Sequence, residues 1–364
     1  DLELEKIEKI IAKIDSDPES EEVKEAEKHL WEKIYKKSGQ GRRTGVGITA
    51  EGDMLAAMGL RYGTEEATEF SEQVHKTIAL EAYRSSVNMA KERGAFAIYD
   101  SEREKNNPFI NRLKEADPEL YEEMKKYGRR NIACLTIAPT GTTSLMTQTT
   151  SGIEPVFMPV YKRRRKVNPN DPQTHVDFVD ETGDAFEEYI VFHHKFVEWM
   201  TVNGYDPTKR YTQEEIDKLV EKSPYYKATS NDVDWLMKVK MQGRIQKWVD
   251  HSISVTINLP NDVDEALVNR LYVEAWRSGC KGCTVYRDGS RSGVLLSTKK
   301  DKKDKKEELP PCKPPTVVEV RPKVLEAEVV RFQNNKEKWV AFVGLLDGHP
   351  YEIFTGLQDD EEGI

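Results

Sequence analysis

Ala138-Pro139-Thr140-Gly141-Thr142-Thr143-Ser144 gathers hydroxyl side chains around a single glycine. The apolar run before it, Ile132, Ala133, Cys134, Leu135 and Ile137, predicts a strand buried on both faces. Where such a strand ends in a tight turn and a helix begins, backbone N–H groups are left without partners. Those donors, the hydroxyls and the positive end of a helix together make a place for an anion. Gly141 has no side chain to keep a phosphate from the backbone. The GxxxxGK[ST] pattern and its lysine are missing, so a phosphate here would be held without a P-loop metal. A plain helix N-cap, which needs only one such hydroxyl, accounts for the same residues. On the residues alone both readings stay open. Further on, Glu154 precedes Pro155, which biases it to an extended backbone and places it to brace the loop by hydrogen bonding.

Other side chains capable of chemistry read as structural. The four cysteines, Cys134, Cys280, Cys283 and Cys312, are too few for a disulfide scaffold in 364 residues and point to a reduced, cytoplasmic setting. Cys280-x-x-Cys283 has the spacing of a redox pair or half a zinc site, but zinc wants further ligands. On a strand the two would face opposite sides. Cys134 fits a core position. His193 and His194, adjacent in a predicted helix, point in different directions, which does not suit a shared metal. No metal site is expected. Lys162-Arg163-Arg164-Arg165-Lys166 reads as a solvated loop, with a share in attracting a nucleotide as the alternative. Gly45-Val46-Gly47 is wrongly spaced from Gly52 for GxGxxG, and no strand precedes it.

The elements that must position these residues follow from periodicity. Leu4, Ile7, Ile10, Ile11 and Ile14 predict one helix, and Val23, Ala26, Leu30 and Ile34 a second. Thr64 caps a long helix to Arg93 with Phe70, Val74, Ile78 and Ala82 as its stripe, and Gly94 ends it. Helices are predicted at 118–127, 189–202, 213–222, 231–249 and 264–278, with strands at 251–259 and 281–286. A hairpin turn is expected at Thr182-Gly183-Asp184. This alternation argues for an α/β architecture. A charged, proline-rich linker follows at 298–322. Beyond it, 323–364 reads as a small antiparallel β unit, truncated by the chain end. Residues 1–38 form a peripheral helical pair and 39–297 the main domain. The net charge of −9 and the lack of a long apolar run exclude a non-specific nucleic-acid surface and a membrane span. A chain opening on Asp1, with no signal-peptide pattern, is expected to be a fragment or a processed chain.

Four stretches, in order, resemble the large chains of ribonucleotide reductases. Asn131–Ser144 with Ser151–Pro155 is similar to the segment that holds the substrate phosphates. Gly41–Gly47 is similar to a segment that follows the active-site cysteines. Trp248–Pro260 resembles a late barrel strand. Gly279–Arg291 resembles the last barrel segment of the adenosylcobalamin-dependent, class II enzymes. The resemblance spans roughly Gly41 to Gly293 and implies the second half of a ten-stranded α/β barrel. It implies that Pro139, Thr140, Gly141, Thr142 and Thr143 bind the diphosphate or triphosphate of a ribonucleotide, with Ser144 a further candidate. Thr284-Val285 stands where class I enzymes place a tyrosine pair, which favours adenosylcobalamin as cofactor. The Asn-x-Cys-x-Glu motif of the radical cysteine is not found, so no catalytic residue is expected in this chain and no turnover from it alone. The implied partners are a ribonucleotide, a thioredoxin-like or glutaredoxin-like reductant, nucleotide effectors and a second copy of the chain, with neither nucleic acid nor membrane among them. The alternatives are a non-catalytic nucleotide-phosphate binding module of the same fold, and a zinc-dependent interaction protein using Cys280 and Cys283.

Overall fold

The computed structural model describes residues 2–167, 176–179, 185–288, 322–334, 337–346 and 348–357. The expected hairpin turn at Thr182-Gly183-Asp184, Cys312, and all of the linker but Pro322 lie outside them. The chain divides into two units, Asp1–Thr298 and Lys299–Ile364.

The first unit opens with α1 (Leu2–Ile14) and α2 (Glu21–Gly41). The α1 stripe is confirmed, with Ile7 and Ile14 fully buried. In α2 the predicted stripe is displaced: Val23 and Leu30 are exposed, and Lys24, Glu27 and Trp31 turn inward instead. The large Trp31 ring and the aliphatic stem of lysine cover more area than the thin Val/Ala/Leu line. Short α3 (Glu51–Ala57) precedes α4 (Glu65–Arg93), which the Thr64 hydroxyl caps by accepting from the Ala67 amide. Its buried face is also displaced by one position. Ala67, Ser71, His75, Ala79, Tyr83 and Ala90 are buried, while Phe70, Val74, Ile78 and Ala82 flank them at half burial. Small side chains let the helix approach its neighbours closely, which a hydrophobicity pattern does not register.

Next come α5 (Ser101–Glu104), α6 (Pro108–Ala116) and α7 (Pro118–Tyr127). Arg129 follows, 2% exposed at the centre of the first core. Its guanidinium makes bonds of 2.6 and 2.5 Å to the two carboxylate oxygens of Glu104 and donates to the Asn131 and Ile132 carbonyls. The rings of Tyr83, Phe96 and Tyr99 pack around it at 5.3–5.7 Å.

The segment 131–138 runs extended and buried, as its apolar run predicts, but it is not a laddered strand. It lies between two parallel neighbours, joined by single bridges at Leu135 to Val46 and Ile137 to Ile253. Backbone bonds tie it to Gly41, Thr44 and Val46 on one side and to His251, Ser252 and Ser254 on the other, but two of its amides go to a side chain. The Asp250 carboxylate accepts the Cys134 and Leu135 amides at 2.7 and 2.9 Å, and also the Tyr83 hydroxyl. A carboxylate thus replaces the carbonyls of a neighbouring strand. Gly47 is where the 44–47 segment comes nearest: a Cβ there would stand 2.1 Å from the Thr136 carbonyl oxygen. The glycines of Gly45-Val46-Gly47 therefore serve strand packing.

After the turn come α8 (Gly141–Thr147), β1 (Val160–Val167), β2 (Phe178–Val179) and β3 (Ala185–Phe192). β1 and β3 form an antiparallel hairpin, with β2 paired to β3. The basic run expected in a loop is therefore on a strand. α9 begins at His194, so 189–192, predicted helical, are strand; β-branched and aromatic Tyr189, Ile190, Val191 and Phe192 suit it. α9 (His194–Val202), α10 (Gln213–Lys222) and α11 (Trp235–Gln246) follow. α11 starts later than predicted because Asp234 caps it, accepting from the Met237 amide. β4 (Thr256–Leu259), α12 (Glu265–Arg277) and β5 (Thr284–Arg287) form a βαβ unit whose strands are parallel. Mixed α/β content is as expected, but among the described residues the parallel segments do not join into a closed barrel. No described helix is long and apolar enough to cross a membrane.

The second unit is an antiparallel sheet in the order β6 (Glu326–Asn334), β7 (Glu337–Leu346), β8 (His349–Leu357).

Removing Arg129 strands the Glu104 carboxylate and two carbonyls. Arg129→Met is expected to lower stability by about 3–5 kcal/mol, read as a shift of the urea midpoint. Glu72 joins α4 to α11. Burial pushes its pKa up, but the Arg244 hydrogen bond and the charges of Lys247 and Arg244 outweigh burial and leave it lowered. A lowered carboxylate stabilises the fold above the ordinary carboxylate pKa and loses that contribution as pH falls through the folded value. Glu72→Gln should therefore cost stability at neutral pH, with the difference from the parent shrinking in acid; a difference constant with pH would refute the pairing.

Candidate functional site

Thr140 holds the turn. Its backbone is left-handed, φ 49° and ψ 22°, a conformation that costs a threonine on the order of 1–3 kcal/mol. Its surroundings enforce it. The Thr140 Oγ1 accepts from the Gly152 amide at 2.7 Å and lies 3.2 Å from the Thr49 Oγ1. Thr49 donates to the Thr150 carbonyl, and the Ala50 amide donates there too. The Thr150 amide in turn donates to buried Asp53 at 2.8 Å. Three of the five left-handed non-glycine residues among those described, Ala50, Thr140 and Gln148, sit in this small group of loops.

With the turn fixed, the Gly141, Thr142 and Thr143 amides find no acceptor among the described residues; the Ser144 amide is the first to be satisfied, by the Thr140 carbonyl. Gly141 is exposed, and a Cβ there would meet nothing within 4 Å. Thr142 and Thr143 are exposed as well. Ser144 is buried, its hydroxyl 2.6 Å from the Ser151 hydroxyl and 2.9 Å from the Gly141 carbonyl. The six predicted residues are thus adjacent but not equivalent. Pro139 and Gly141–Thr143 are open to solvent, whereas the Thr140 and Ser144 hydroxyls are turned into the protein as struts.

Pro139, Gly141 and Ser144 form one side of a cavity of about 730 Å³. Glu154, His193 and Asn258 contribute polar groups to it; Leu145, Phe157 and Met158 contribute apolar ones. Glu154 does brace this region, though through β4 and not the turn: its carboxylate accepts the Thr256 amide at 2.7 Å and pairs with Lys238 at 2.7 Å. Lys238 is 1% exposed and also donates to the Thr256 carbonyl. Burial pushes its pKa down, against the Glu154 carboxylate. His193 caps the end of the hairpin and bonds Asp53 at 2.8 Å; Asp53 also accepts the Tyr225 hydroxyl. Asp53, Thr49, Thr150, Lys238 and Asp250 were not singled out from sequence.

Cys134, Cys280 and Cys283 are free thiols. Burial first, then Asp250, pushes the Cys134 thiol up to about 12, and burial does the same for Cys280. Cys280 and Cys283 precede β5 and both pack against the core of α11 and α12. Opposite facing, expected from a strand, does not apply. Among the described residues no three His, Cys, Asp or Glu side chains are grouped to hold a metal.

The fold and cavity define an α/β domain with a turn whose amides are open. The family model described as ribonucleotide reductase, barrel domain, matches residues 20–286, and that described as NrdJ homologue C-terminal domain matches 325–364. The chain belongs to the ribonucleotide reductase family. It is similar to the vitamin B12-dependent ribonucleoside-diphosphate reductase of Mycobacterium tuberculosis (strain CDC 1551 / Oshkosh), 30% identical over 71% of this chain and 33% of that protein. The protein of the same description from Thermoplasma acidophilum is 30% identical over 79% of this chain and 34% of its own length. The vitamin B12-dependent ribonucleotide reductase of Rhodopirellula baltica is 25% identical over 92% and 35%. The chain spans about a third of the length of these relatives.

Thr140→Ala should act on the fold, leaving the Gly152 amide without its acceptor at a cost of about 1–3 kcal/mol. Thr143→Ala should leave the melting temperature unchanged. Equal melting temperatures for the two variants would refute the division between strut and open residue.

Proposed function

We propose that this chain supplies the substrate-phosphate side of an adenosylcobalamin-dependent ribonucleotide reductase, which reduces ribonucleotides to deoxyribonucleotides by thiyl-radical chemistry. The carrying observation is the run of three unsatisfied amides at Gly141–Thr143, whose first residue lines a cavity of nucleotide size. Pro139 and Gly141 leave the approach open, Thr142 and Thr143 add hydroxyl donors, and Thr140 and Ser144 keep the turn in shape. A phosphate fixed there would fix the ribose at its other end, as radical transfer requires. The second half of a ten-stranded barrel is the frame this reading implies.

The names of the relatives support adenosylcobalamin as the cofactor of the whole protein. Bound, it would supply the radical. A cavity of about 730 Å³ is too small to enclose a corrinoid. The substrate is a ribonucleotide, and the electrons come from a thioredoxin-like or glutaredoxin-like reductant acting on cysteines outside this chain.

Thr142→Pro tests the reading in the full-length protein. Proline is tolerated in a helix's first turn and removes one free amide without disturbing a bond of the fold. The Thr142 hydroxyl goes with the amide, so at least one hydrogen bond to a charged group, about 1.5–3 kcal/mol, is lost, which should weaken ribonucleoside diphosphate binding tenfold or more by calorimetry. Unchanged affinity in the folded variant would sink the assignment.

A further inference from the structure

The cavity has a second anion-binding feature, on the strand that carries the basic run. β1 alternates, so Tyr161 and Arg163 share a face, and both line the cavity. The register decides which cations of the run are neutralised. Arg165 lies opposite Glu187 and pairs with it at 2.6 Å. Lys162 pairs with Glu188 at 3.7 Å. Arg163 lies opposite Tyr189, and among the described residues its side chain makes neither an ion pair nor a hydrogen bond. The other charged groups around the cavity are matched: Glu154 by Lys238, and the His193 ring by buried Asp53. Arg163 is therefore the one uncompensated formal charge among the described lining residues, in the cavity that receives the free Gly141 amide.

We propose that Arg163 binds the terminal phosphate of the nucleotide, while the Gly141–Thr143 turn holds the inner one. This rests on the phosphate-turn reading above. The chemistry is that of a guanidinium and a phosphate oxyanion, which form paired, charge-assisted hydrogen bonds. One phosphate needs only the turn; a second brings a further negative charge that the turn amides do not neutralise. Arg163 thus makes the site selective for nucleotides with two or more phosphates.

The test uses the full-length protein with a ribonucleoside diphosphate and the matching monophosphate as calorimetric ligands. Arg163→Gln should weaken diphosphate binding about tenfold and change monophosphate binding less than twofold. Arg163→Lys should retain part of the diphosphate affinity, and Lys162→Gln should leave both ligands unaffected. Circular dichroism and melting temperature verify that each variant is folded. Diphosphate affinity unchanged in Arg163→Gln, with Thr142→Pro still weakening it, overturns the Arg163 assignment and spares the turn. Equal losses for both ligands also overturn it, since Arg163 would then not read the terminal phosphate. If Thr142→Pro binds as the parent does, the turn reading fails and this inference fails with it.

Discussion

One carboxylate holds the interior of the first unit in register. Asp250 accepts two successive amides of the extended segment, at Cys134 and Leu135, and the hydroxyl of Tyr83 from the long helix α4. A buried carboxylate without donors is costly, and buried amides without acceptors are costly too. Placed together, each removes the other's penalty, and the helix, the segment and the approach to β4 are locked at one point. The segment's direction then decides where the turn at Pro139–Thr143 emerges. Arg129 does comparable work one step upstream, tying Glu104 to the carbonyls of Asn131 and Ile132 inside a cage of three aromatic rings.

The turn itself is strained, and the strain is matched by the number of groups that hold it. Thr140, Thr49, Thr150 and Asp53 form a chain of hydrogen bonds from the turn to His193 and Tyr225. Each of these side chains has its polar atoms committed. What the network leaves uncommitted is backbone: the three amides after Thr140. A turn built this way is already ordered, and a ligand bound there would meet little ordering entropy.

Much of this was legible in the sequence. The long helix from Thr64 to Gly94, the helices at 118–127 and 213–222, and the apolar run before the turn all follow from local signals, because caps and periodicity act within a few residues. The resemblance pointed to the right family for the same reason: ordered motifs survive as strings. Faces were read less well. On α2 and α4 the buried line lies beside the predicted stripe, since neighbours that approach closely select small or long-stemmed residues over the most apolar ones. At 189–192 strand pairing across a hairpin overrode a helical pattern.

The sequence by itself determined the family, the α/β pattern and the place of the turn at Pro139–Ser144, since these depend on residue types and spacing along the chain. Tertiary structure alone decided which of the six turn residues are struts and which are open, and which arginine of a run of five basic residues faces the cavity uncompensated. It also decided that Asp250 would stand in for a neighbouring strand. Those outcomes depend on partners 91 to 172 residues away, such as Thr49 for Thr140, Asp250 for Cys134 and Asp53 for Tyr225, and no local rule encodes contacts at that separation.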